Sequence, residues 1–144
     1  MKTLYTAVAT ATDEGRNGRS RTDDGTLDLK MALPPSMGGD GTEGTNPEQL
    51  FALGYSACFA NAMRSSARRD GDESVVDGAE VTAKVDIGAI GQGRFALAVT
   101  LDVSVPGMAQ DEAEALVAKA HERCPYSNAT RGNVEVALNV SGGT

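Results

Sequence analysis

Histidine occurs once in this 144-residue chain, cysteine twice and tryptophan not at all, and basic residues are outnumbered 20 to 13 by acidic ones. Each scarcity excludes something. A net charge of −7 repels a phosphate backbone, so nucleic acid is not an expected partner. No stretch approaches the roughly 18 consecutive apolar residues of a membrane span, and the N-terminal ten residues carry one Lys and only short apolar alternation. The expectation is a soluble, cytoplasmic protein with no membrane partner. With 40% apolar residues, the length suits one domain over residues 1–144. A reducing cytosol does not keep a structural disulfide, so Cys58 and Cys124 are either inert buried thiols or a transient redox couple. A zinc site would have to combine both with an acid and His121, which lies at i, i+3 to Cys124, and would use every soft or imidazole ligand in the chain.

What is present divides into elements. Leu4 to Thr12 alternate, with Tyr5, Ala7, Ala9 and Ala11 on one side and threonines largely on the other, which predicts a half-buried strand. Turns at Arg16-Asn17-Gly18-Arg19 and Asp23-Asp24-Gly25 predict two further strands, around Ser20–Thr22 and Thr26–Leu33, in an antiparallel meander. Pro34 to Thr45 is too rich in Gly and Pro for regular structure and reads as an open connector, and its glycines lack the spacing and Lys-Ser/Thr ending of a phosphate cradle. Asn46-Pro47-Glu48 then supplies a capping side chain, a first-position proline and an early acid, opening a helix that runs to about Arg69. Between Leu50 and Met63 its polar side chains, besides the Cys58 thiol, are Tyr55, Ser56 and Asn61. A helix so nearly apolar all round needs more cover than a domain of this size provides, and a second copy of the chain is expected to supply it.

Clean alternation predicts strands over Glu80–Ala89, Arg94–Val105 and Val134–Val140. Between the last two, Ala113, Leu116, Val117, Ala120 and Cys124 mark one face of a helix over Gln110–Cys124 that Pro125 ends. Ala109 stands before it, where a capping Ser or Thr would be more usual. Arg68 to Val76 matches no motif and reads as surface. The order of elements is β-β-β-α-β-β-α-β, an α+β chain.

Only a thiolate attacks a peroxide or a disulfide, and an ordinary cysteine, with a pKa of about 8.5, is roughly 3% ionised at pH 7. Cys58 lies too deep in its helix for the N-terminal dipole to act, and apolar burial pushes its pKa up. A neighbouring cation is required, and an Arg at about 4 Å is worth up to roughly 4 kcal/mol at an effective dielectric of 20. Composition does not say which: Arg16 and Arg19 flank the same turn.

The run Thr45-Asn46-Pro47-Glu48-Gln49-Leu50-Phe51-Ala52-Leu53-Gly54-Tyr55-Ser56-Ala57-Cys58-Phe59, together with Cys124-Pro125-Tyr126-Ser127-Asn128-Ala129-Thr130-Arg131-Gly132-Asn133, closely resembles the organic hydroperoxide resistance proteins of the osmotically inducible protein C (OsmC) superfamily. The likeness extends from Leu4 to Val140 and includes Gly15-Arg16-Asn17-Gly18-Arg19 and Asp24-Gly25. It implies a fold in which two central helices pack with antiparallel sheets in an intertwined homodimer. It implies that Cys58 is the peroxidatic thiol and Cys124 the resolving one, with Arg16 as the activating cation and Glu48 as its carboxylate partner. The activity implied is reduction of alkyl and fatty-acid hydroperoxides with no bound cofactor, recycled by dihydrolipoyl groups of a lipoylated protein.

Glu48 and Cys58, ten residues apart on one helix, are separated by about 15 Å of rise and some 80° of rotation, so they cannot touch directly. Either Arg16 bridges a long span, or the Arg16 and Glu48 that serve a given Cys58 come from the neighbouring subunit. Phe51, Leu53, Phe59 and Met37 could line a pocket for the alkyl part of the substrate. Tyr126, Ser127, Asn128 and Arg131 are expected chiefly to shape the turn after the second helix. A redox sensor acting once, or a lipid-binding module that ignores the thiols, are the rival readings.

Overall fold

The computed structural model describes residues Met1–Gly143, which fall into two compact units, Met1–Leu50 and the chain from Phe51 onward. In the first unit, β1 (Ala9–Thr12), β2 (Arg19–Thr22) and β3 (Asp28–Lys30) form an antiparallel sheet in that order. The β2–β3 turn is held by Asp24, whose carboxylate accepts from the Thr22 hydroxyl and the Thr26 amide, while Gly25 adopts φ 75°, a conformation only glycine reaches cheaply. Two expectations need shortening. The first strand starts at Ala9 rather than Leu4, because none of the described residues pairs with those before Val8, and Leu4 and Tyr5 are 90% and 79% exposed. The third ends at Lys30, because Met31 and Ala32 turn to pair with Thr45 and become buried. The connector thus closes on itself, and it includes one 3-10 turn over Pro35–Met37.

The unit boundary falls within the first turn of α1 (Pro47–Asp70). Asn46 caps this helix as expected, its side-chain oxygen accepting from the Gln49 amide at 2.8 Å. Within the second unit, α1 buries Tyr55, Phe59, Ala62, Met63, Ser66 and Ala67, a stripe at helical spacing, while Leu53, Ala57 and Ala60 remain exposed. Its end runs into a 3-10 turn over Glu73–Val76, opened by the Asp72 carboxylate on the Ser74 amide, so this acidic stretch is a capped corner that buries Val76.

The second sheet has the order β4 (Glu80–Gly91), β5 (Arg94–Ala109), β6 (Glu135–Gly143). Gln92 and Gly93, both at positive φ, join β4 to β5 in a two-residue hairpin. Val99, Leu101, Val103 and Val105 of β5 carry the core side of the sheet. They are covered by Ala113, Leu116, Val117 and Ala120 of α2 (Gln110–Arg123) and by the buried stripe of α1. The sheet is not wholly antiparallel: β6 pairs with β5 in parallel, Leu138 opposite Leu101, because a helical crossover returns the chain to the end of the sheet where β5 began. That crossover holds a helix the sequence pattern did not announce, α3 (Pro125–Thr130), in which Pro125 ends one helix and serves as the first residue of the next.

Candidate active site

Cys124 is the hinge residue between α2 and α3, extended at φ −62° and ψ 124°. Its amide reaches back to the Ala120 carbonyl at 2.8 Å, and its own carbonyl accepts from Asn128 at 2.9 Å. The corner aims its thiol at α1, where Cys58 lies one turn beyond Tyr55, and the two sulfurs are 3.6 Å apart. Both are free thiols, Cys124 with no exposed surface and Cys58 half-buried. Burial pushes the Cys58 thiol up, the backbone amide of Tyr126 acts against that, and the hydrogen bond and charge of Cys124 add to the rise. Among the described residues of this unit, none contributes a positive charge that favours its thiolate.

In the first unit Arg16, in the turn between β1 and β2, meets Glu48 in the first turn of α1 through two bonds, Nη1 to Oε2 at 2.9 Å and Nη2 to Oε1 at 2.6 Å. The planar guanidinium matches a carboxylate edge to edge in this way, and lysine could not reproduce it. The bond to Arg16 holds the Glu48 carboxyl below the usual carboxylate range despite partial burial, and Glu48 in turn raises the Arg16 guanidinium. Arg19, which spacing left level with Arg16, is committed elsewhere: its Nε donates to Asp28 at 2.5 Å on the exposed face of the meander.

The four residues proposed for the alkyl group are placed differently from one another. Phe51 is half-buried, its ring 5.9 Å from that of Tyr126 and 6.1 Å from that of Tyr55. Leu53 is 66% exposed, and Phe59 is wholly buried between the rings of Tyr55 and His121. Met37 lies half-buried in the 3-10 turn of the first unit. His121 Nδ1 is 2.8 Å from the Ser127 hydroxyl, and among the described residues no group of three His, Cys, Asp or Glu side chains is disposed to hold an ion. Ser127 also meets the hydroxyl of Tyr55, at 2.7 Å. This polar cluster beside the sulfurs joins residues 72 positions apart, so no local pattern could have marked it; the one hint was a tyrosine amid an apolar run.

The family model "OsmC-like protein" matches residues 38–139. An organic hydroperoxide resistance protein of Xanthomonas axonopodis pv. citri is 49% identical over 140 residues, 97% of this chain and 96% of its own. The organic hydroperoxide resistance protein OhrB of Bacillus subtilis is 43% identical over 137 residues, 94% of this chain and 96% of its own. A crystal structure of an organic hydroperoxide resistance protein from Legionella pneumophila superposes with a TM-score of 0.90 at 50% identity, covering 97% of this chain and 99% of that one.

Proposed function

Because the chain belongs to the OsmC-like family and, within it, to the organic hydroperoxide resistance proteins, we propose that it is a thiol peroxidase that reduces organic hydroperoxides through Cys58 and Cys124. The observation that carries this reading is the 3.6 Å separation of the chain's two cysteine sulfurs, supplied by separate helical elements.

The Cys58 thiolate attacks the terminal oxygen of R–O–O–H; the O–O bond breaks, the alkoxide takes a proton and leaves as alcohol, and Cys58 becomes a sulfenic acid. Cys124 then attacks that sulfur. The S–O bond breaks, an S–S bond forms, and the thiol proton leaves with the hydroxide as water. The disulfide guards Cys58 against irreversible oxidation until an external dithiol, a dihydrolipoyl group on a partner protein, reduces it by exchange. No bound cofactor is needed.

The thiol as placed in its own unit is harder to ionise than an ordinary cysteine, so the cycle requires a cation from outside that unit. Arg16, held flat by Glu48, is suited to that role and to polarising the peroxide. In a homodimer the pair is contributed by the neighbouring chain. Phe51, half-buried against Tyr55 and Tyr126, offers apolar surface for the alkyl group within its own unit, and Leu53, Phe59 and Met37 remain separate candidates. A compartment that keeps thiols reduced, the cytosol, suits the cycle.

Steady-state consumption of cumene hydroperoxide with dihydrolipoamide as reductant tests the reading. Sustained turnover that is lost in Cys58→Ser is expected. Reaction that stops after one equivalent would make the chain a sensor, and absence of reaction would make it a binding module.

A further inference from the structure

Four side chains that the cycle above does not use form a continuous chain beside the thiols, buried except for the half-buried His121. His121 Nδ1 lies 2.8 Å from Ser127 Oγ, Ser127 Oγ 2.7 Å from the Tyr55 hydroxyl, and that hydroxyl 3.3 Å from Thr130 Oγ1. Thr130 donates to the Ser127 carbonyl at 3.1 Å. One arrangement of protons serves every contact. Thr130 has spent its proton on the carbonyl, so it accepts from Tyr55; Tyr55 has spent its own, so it accepts from Ser127; Ser127 accepts from His121, which is therefore the Nδ1–H tautomer. Tyr55, Ser127 and Thr130 are buried, and no buried polar side-chain atom among the described residues is left without a partner.

The placement of this chain matters more than its energy. His121 is in the last turn of α2 and Ser127 in α3, so their bond staples the corner whose apex is Cys124. Arg131 closes the same corner from the far side, its guanidinium donating to the His121 carbonyl at 2.7 Å. Tyr55 ties the corner to α1 three residues before Cys58. A second seat lies beside it: at Gly54 an added Cβ would stand 2.5 Å from the Tyr126 hydroxyl oxygen and 3.0 Å from two of its ring carbons, so the missing side chain is what lets that ring lie against the helix. Both attachments fall within the turn of α1 that precedes the peroxidatic sulfur.

We propose that the His121–Ser127–Tyr55–Thr130 chain, with Tyr126 seated on Gly54, holds Cys124 within bonding range of Cys58, making these positioning residues for the condensation of sulfenic acid with thiol. The inference rests on the redox cycle proposed above. Its consequence is a partition. Once Cys58 is a sulfenic acid, either Cys124 attacks it and water leaves, or a second hydroperoxide oxidises it to sulfinic acid with loss of another alcohol; a loosened corner slows only the first branch.

The test compares reduced wild type with Tyr55→Phe, which keeps the ring and removes one hydroxyl, and with Gly54→Ala, which removes no hydroxyl and displaces Tyr126. Each is treated with cumene hydroperoxide, and the ratio of sulfinic acid to disulfide is read by intact mass. The ratio should rise at least about fivefold in Tyr55→Phe, which removes two hydrogen bonds of which one alone is worth about that factor, and in the Cys124→Ser background the same change should leave sulfinic acid formation unaltered. An unchanged ratio, or an increase in sulfinic acid that Tyr55→Phe also produces in the Cys124→Ser background, overturns the proposal; if Tyr55→Phe does not fold, Gly54→Ala decides. A wild type that forms the disulfide while the variants partition as it does defeats the positioning role alone. A wild type that forms none defeats the peroxidase reading with it.

Discussion

Arg16 and Arg19 differ by three positions in sequence and by everything in their partners. Arg16 presents both terminal nitrogens to Glu48, and Arg19 makes an exposed bond to Asp28. Arg16→Lys should therefore lower kcat/KM for cumene hydroperoxide by about tenfold or more, the scale of a lost charge-assisted bond, and Arg19→Lys should do little. The same pairing fixes a pH dependence. The Glu48 carboxyl is depressed first of all by its bond to Arg16, so its contribution to stability is present above the unfolded value of about 4.3 and is lost as pH falls through the lower folded value. The melting-temperature gap between wild type and Glu48→Gln should be flat above about pH 5 and close in more acidic buffer. Cys58 has the opposite sense: burial raises it, so without a cation its thiolate forms only above the ordinary cysteine range. Alkylation by iodoacetamide, followed against pH, should show a midpoint below about 8.5 in the wild type and above it in Arg16→Ala.

At the scale of elements, α2 begins without a side-chain cap, because Ala109 occupies the capping position in an extended conformation. Ala109→Ser should raise stability by about 0.5–1 kcal/mol, measured by urea titration, with peroxide turnover unchanged. Such local features were legible: the Asn46 cap, the stripe of α2 and the alternation of β5 all depend on neighbours within one turn or one strand. The direction of β6 was not, since alternation reports a face and not the sense of pairing. Nor was α3, because a proline that stops one helix equally well starts another. Of the candidate site, the two sulfurs were legible through the motifs around them. Spacing left Arg16 level with Arg19, and it was the family resemblance that made the Arg16–Glu48 pair legible; the contact of Tyr55 with Ser127, 72 positions away, leaves no periodic trace.

For the molecule as a whole, the apolar side chains left uncovered are informative. Leu4 and Tyr5 precede the first strand, Ile90 and Phe95 occupy the β4–β5 tip, and Leu53 faces outward from α1. Such exposure in a monomer is unfavourable, and it is the physical ground for proposing a homodimer. Sedimentation at micromolar concentration should give a mass twice that of the chain. Subunits of Cys58→Ser and Arg16→Ala, inactive alone, should recover about a quarter of the wild-type turnover per site when mixed, since about half of the dimers are then heterodimers and only one composite site in each is complete; no recovery would place the whole set in one chain.

The parallel pairing of β5 with β6 has a bearing on how the protein comes into being. A hairpin can close as soon as its second arm is made, but this edge cannot be joined until everything between has been wound over it, and Cys124 belongs to that winding. On the ribosome, residue 58 therefore emerges long before its counterpart is anchored. A chain still in synthesis thus carries the first thiol without the counterpart that the finished fold sets 3.6 Å from it.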